Sequence, residues 1–144
     1  RGNIHQTTSE RVAVMKKKFS TSWIGSKKPA KQRKYRANAP LHIKHKLLAA
    51  HLSKELKKKY QRRSFPLRKG DTVKVVRGAF KKRTGKVSSI SSSSLKVYID
   101  GIQRQKRGGT KVNIPLDPSN LIITDLTLDD KLRVRALERR IKRT

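Results

Sequence analysis

The sequence predicts a mainly β protein: a small closed or nearly closed barrel with a basic N-terminal arm, short helices before the barrel and a C-terminal helix. Three observations carry this. From Phe65 onward apolar residues recur with a period of two, at Val73 and Val75, Val87, Leu95, Val97 and Ile99, Val112 and Ile114, and Leu121 to Ile123. Breakers separate those runs at Lys69-Gly70-Asp71, Gly78, Gly85, Ser91 to Ser94 and Arg107-Gly108-Gly109-Thr110, so hairpin connections should dominate. Finally, apolar residues make up only 33% of 144 residues, which supports one small core and leaves the rest of the chain to be ordered by a partner.

Residues 1–38 form the arm. Lys27, Lys28, Lys31, Arg33, Lys34 and Arg36 crowd around Pro29 without an apolar period, so this segment has little to bury and is expected to be extended and disordered until bound. Its first 27 residues carry one acid, Glu10, and a plain arm is favoured over an organelle transit segment. Residues 39–64 are the short helical basic segment. Pro40 suits a first turn and Ile43, Leu47 and Ala50 follow at helical spacing, predicting a helix over Pro40 to Ala50. Ser53 is a candidate N-cap for a second helix in which Leu52, Leu56 and Tyr60 share a face and Lys54, Lys57, Lys58 and Lys59 point outward. Residues 65–128 hold about five short strands, the number expected of a small barrel. Residues 112–130 contain no Lys or Arg and four aspartates, Asp117, Asp125, Asp129 and Asp130, and are read as the barrel side turned away from any polyanion. Residues 129–144 return to helical spacing, with Leu132 and Ala136 on the apolar side and Lys131, Arg133, Arg135, Glu138, Arg139 and Arg140 as charged dress.

Charge narrows the function classes. Against 39 Lys and Arg stand 9 Asp and Glu, a formal net charge of +30, and such self-repulsion calls for a polyanion, for which a phosphate backbone is the obvious source. With no cysteine, disulfide scaffolds, thiolate metal sites and cysteine nucleophiles are excluded. No apolar run approaches the ~18 residues that span a bilayer. A phosphate-loop reading fails, because six residues separate Gly78 from Gly85 and Lys86 is followed by Val87 where Ser or Thr is required. His42, His45 and His51 lie beside Lys44 and Lys46, which disfavours a metal, and the run Ser91 to Ser94 has no base at motif spacing. Neither cofactor nor metal nor catalysis is expected. Among the few aromatic residues, only Tyr35 and Phe80 sit in basic runs where they could stack on bases, with Phe80 equally readable as a loop anchor.

The most informative segment runs from Lys69 to Val87, two strands flanking a loop that carries Arg77, Lys81, Lys82, Arg83 and Lys86. A basic loop between rigid strands reads phosphates, while Gly78 and Gly85 permit positive φ or close backbone approach. This segment closely resembles a KOW motif, the strand-loop-strand unit of SH3-like barrels in ribosomal proteins and transcription elongation factors. It departs at Lys81-Lys82, where the motif usually has Lys-Gly. Lys31-Gln-Arg-Lys34, Asn38-Ala-Pro-Leu-His42, Leu52-Ser-Lys-Glu-Leu56, Arg62-Arg-Ser-Phe-Pro66 and Asp117-Pro-Ser-Asn120 then follow the order of one family. From about Lys27 to Lys131 the chain resembles the universal large-subunit ribosomal protein twenty-four, twenty-six in the eukaryotic series, in its archaeal and eukaryotic branch.

That resemblance implies an SH3-like barrel with terminal extensions, a structural constituent of the large ribosomal subunit in the cytoplasm. It implies binding to large-subunit rRNA, early in assembly and close to the peptide exit tunnel, with neighbouring large-subunit proteins as further partners and no small-molecule substrate. The alternative is a KOW-type transcription or translation factor that binds RNA reversibly. The residues expected to contact rRNA are Lys28, Lys31, Arg33, Lys34, Arg36, Lys44, Lys46, Ser53, Lys54, Arg62, Arg63, Arg77, Lys81, Lys82, Arg83 and Lys86.

Overall fold

A computed structural model describes residues 19–139 and 141, so the expectation of disorder over residues 1–18 lies outside the described residues. The chain divides into two units, Arg1–Pro40 and Leu41–Thr144.

In the first unit a 3₁₀ turn, Thr21–Gly25, precedes helix α1, Pro29–Asn38. The extended arm expected there is therefore helical over its last ten residues. Pro29 opens the helix at its first turn, and Ala, Lys, Gln and Arg all propagate a helix well without any apolar stripe. Periodicity missed it because a single residue, Tyr35, is buried on it. The Gln32 side-chain amide ties turn to helix by donating to the carbonyls of Trp23, Ile24 and Ser26 at 3.1, 3.3 and 2.6 Å.

The second unit opens with helix α2, Leu41–Leu47, then strand β1, Ala49–Leu52, helix α3, Lys54–Tyr60, and strand β2, Ser64–Pro66. Ala50 thus belongs to a strand and not to the end of a helix, and Leu52 does not share a helical face with Leu56 and Tyr60. Both are correctly spaced for either structure, and pairing decides: β1 runs parallel to strand β8, Leu121–Asp125, with His51 opposite Ile122 and Leu52 opposite Ile123. Ser53 does cap α3, its hydroxyl accepting from the Leu56 N–H at 3.3 Å. Strands β3, Thr72–Val75, β4, Thr84–Ser91, and β5, Lys96–Ile99, complete a mixed six-stranded sheet in the order β2-β1-β8-β3-β4-β5. Strands β6, Gln103–Gln105, and β7, Lys111–Asn113, form a separate two-stranded ribbon. The result is the mainly β, barrel-like fold with flanking helices that the sequence predicts.

Alternation places Val73, Val75, Val87, Val97, Ile99, Leu121 and Ile123 in the core, each at most 1% exposed. Full burial of each such side chain contributes about 1.5–3 kcal/mol. Gly85 is needed where β4 crosses Asp100, because a Cβ there would lie 2.7 Å from the Asp100 carbonyl oxygen and from a methyl of Ile99.

Helix α4 spans Lys131–Glu138, and residues 140 and 142–144 of the expected 129–144 segment lie outside the described residues. Although Ala136 packs on the core as expected, Leu132 and Arg133 trade places. Leu132, assigned to the apolar side, is 70% exposed, whereas Arg133, read as charged dress, is 4% exposed beside the fully buried Leu137. Arg133 grips Asp71 through both guanidinium nitrogens at 2.7 and 2.6 Å and donates to the carbonyls of Thr127 and Pro66 at 2.8 and 3.3 Å. At the start of α4 the Asp130 side chain caps Leu132 at 2.8 Å. Its hydrogen bond from Arg68 and then that from the Leu132 N–H hold the Asp130 carboxyl below the usual aspartate range.

Candidate nucleic-acid interface

The KOW-like loop is built from its own backbone. Lys82 N–H donates to the Val75 carbonyl and Val75 N–H to the Arg83 carbonyl, both at 2.8 Å, while Lys81 N–H donates to the Gly78 carbonyl at 3.1 Å and Arg83 N–H to that of Phe80 at 3.2 Å. Gly78 takes φ +95° and Lys82 φ +71°, so the position where the motif usually has glycine adopts the left-handed conformation that glycine favours. Phe80 is half-buried against the core and the Arg83 guanidinium lies 5.2 Å over its ring. That makes Phe80 an anchor. With the backbone satisfied and the base pinned, Arg77, Lys81, Lys82, Arg83 and Lys86 all stand exposed to solvent.

Beside the loop lies a cleft of about 420 Å³, lined by His51, Lys57, Arg63, Arg77, Ser119 and Asn120 with Val76, Leu121 and Ile122 at its base. It brings Arg63 and Arg77, both expected to contact RNA, onto one surface. Lys57, His51 and Asn120, outside the expected contact set, join them. Only Asn120 had a signal, in Asp117-Pro-Ser-Asn120, and its main-chain carbonyl accepts the Val76 N–H at 2.9 Å and so joins the loop to β8.

Further along the same unit, Lys46 and Lys54 are exposed and Lys44 is half-buried, on α2 and at the start of α3. The Ser53 hydroxyl is occupied as the α3 cap. Arg62 is half-buried with its guanidinium 5.8 Å from the Phe65 ring. Asp71, Asp117 and Asp130 pair with Arg133, Lys96 and Arg68, cations outside the expected contact set. Of the three pairs only Asp71–Arg133 is buried.

In the first unit Lys28, Lys31, Arg33, Lys34 and Arg36 are exposed along or just before α1. Lys34 sits 5.1 Å over the Trp23 ring. Tyr35 does not offer its face to a base: it is 4% exposed, with its ring 5.1 Å from Phe19. Back in the second unit, the serine run forms the β4-β5 hairpin tip, where the Ser91 hydroxyl meets those of Ser93 and Ser94 at 3.2 and 2.7 Å.

The chain matches, over residues 26–140, the family of ribosomal proteins called L26 in eukaryotes and L24 in archaea. It is 47% identical over 116 residues to the large ribosomal subunit protein uL24 of Methanosphaera stadtmanae, covering 81% of this chain and 99% of that protein. It is 47% identical over 117 residues to the protein of the same name from Korarchaeum cryptofilum, covering 81% of this chain and 89% of that one. With a match across most of its length and a KOW-like loop on its cationic surface, the chain belongs to this family of eukaryotic L26 and archaeal L24 ribosomal proteins.

Proposed function

We propose that this chain is a structural constituent of the large ribosomal subunit in the cytoplasm that binds large-subunit rRNA and catalyses nothing. The observation that carries the reading is the loop between β3 and β4, whose backbone bonds to itself and whose four cations, Arg77, Lys81, Lys82 and Arg83, face solvent together with Lys86 on β4. The names of its relatives support the ribosomal assignment, as does a net charge of +30. The loop, the neighbouring Arg63 and Arg77 cleft, and the exposed cations of α1 bind phosphates. Recognition is mainly of backbone and shape, because A-form RNA hides its base edges in a deep, narrow groove. The family resemblance adds association early in assembly, a position near the peptide exit tunnel, and neighbouring large-subunit proteins as contacts.

Sedimentation of the native protein on a sucrose gradient tests the assignment. Co-sedimentation with the large subunit is expected, whereas a peak of free protein would favour a KOW-type factor that binds RNA reversibly. Binding of purified protein to an rRNA transcript should weaken with salt at a log-log slope of roughly −6 to −7 for about eight neutralised phosphates.

A further inference from the structure

Outside the contact set expected from sequence, the β6-β7 ribbon has the form of a ligand-binding device. It pairs Gln103 with Asn113, Arg104 with Val112 and Gln105 with Lys111, and all six residues are exposed. A strand pair packed on nothing is marginal in water. This one is held at its foot, where Ile102 is buried in the core and its carbonyl accepts the Ile114 N–H at 3.3 Å, and at its tip, where Lys106 N–H donates to the Thr110 carbonyl at 2.9 Å. Such an arm projects from the barrel and leaves both faces open to solvent. Strand alternation sets Arg104 and Val112 on one face, above a cleft of about 550 Å³ with Ile114 and Pro115. Gln103, Gln105, Lys111 and Asn113 share the other, where a smaller hollow measures about 300 Å³.

Between Asp100 and Asp117 the sequence has four cations, Arg104, Lys106, Arg107 and Lys111, and no acid. The charge is distributed over both faces and the tip, whereas a ribbon lying flat on one surface would need cations on one side only. We infer that the β6-β7 ribbon inserts between two RNA backbones, with Arg104 meeting phosphate on one face and Lys111 on the other. This rests on the rRNA-binding reading and adds a further contact element to it. RNA is favoured over a protein partner because the ribbon offers charge on both sides and, although Val112 is 40% exposed beside an apolar cleft, Val112 is the only apolar side chain between Gln103 and Asn113.

The test uses the full chain and a large-subunit rRNA transcript, titrated at several salt concentrations with Arg104→Gln, Lys111→Gln and the double variant. Each single change should lower the salt slope by about 1 and the double by about 2, with thermal unfolding unaltered because both side chains are exposed. If only one variant moves the slope, the ribbon lies on a single backbone and insertion is overturned. Unchanged slopes in all three, against a steep wild-type slope, would turn the ribbon toward a protein or solvent and remove it from the RNA surface. Absence of salt-sensitive binding by the wild type would instead overturn the rRNA-binding reading itself.

Discussion

The Asp71 carboxylate, fully buried, accepts both guanidinium bonds of Arg133, the Arg68 N–H at 2.8 Å and the Thr127 N–H at 3.1 Å. Arg133 in turn lies 5.4 Å over the Phe65 ring. Two residues 62 apart in sequence thereby join β2, the turn before β3, the segment after β8 and α4. Removing one charge and keeping the other buried is the costly case, about 3–5 kcal/mol. Asp71→Asn should lower stability by that order in urea unfolding followed by circular dichroism, and the double change Asp71→Leu with Arg133→Met should recover much of it. A loss under about 1 kcal/mol for Asp71→Asn would mean the pair does not hold α4. Nothing local marks this pair. Arg133 stands among many exposed cations on a helix whose apolar side was assigned from Leu132, and only the docking of that helix turns it inward.

Among the elements, the frame of the β3-β4 loop was legible, with its bounding valines buried, its cations exposed and its glycines serving close approach and positive φ, while the anchoring of Phe80 and the positive φ of Lys82 were not. If it meets phosphates, charge should matter to binding and not to folding. Replacing Lys81, Lys82 and Arg83 together with glutamine should reduce the rRNA salt slope by up to about 3, almost equally across RNA sequences, and leave the barrel's stability unchanged or higher. Lys82→Gly alone should lower the slope by about 1 while relieving the φ +71° backbone. Unaltered slope and affinity in the triple variant would remove this loop from the interface and leave α1 as the main anchor. By contrast, β1 was not legible, because Ala49 to Leu52 fits a helical period as well as an alternating one. Its identity depends on a parallel partner, β8, far along the chain. Helix α1 escaped for a different reason: helix propensity without an apolar stripe looks the same as a solvated basic segment.

For the molecule as a whole, a net charge of +30 on 144 residues must strain the free protein through self-repulsion. Shortening the Debye length from about 30 Å to about 8 Å by added salt should therefore raise its thermal midpoint, measured by circular dichroism at constant pH. A flat or falling midpoint would show that repulsion is not what limits stability. Salt should thus stabilise the protein alone and weaken its hold on RNA, two opposite responses to one charge. Composition, alternation and residue order were enough for the β class, the single small core, the expectation of a polyanion partner, the KOW-like loop and the family, since each of these signals is local or additive. Packing alone makes Ala49 to Leu52 a strand and buries Arg133. It also gathers Lys57, Arg63 and Arg77 around one cleft and leaves the β6-β7 ribbon bare on both faces. These outcomes depend on which distant segments exclude water from one another, and burial of that kind is a property of the packed chain and not of any window of its sequence.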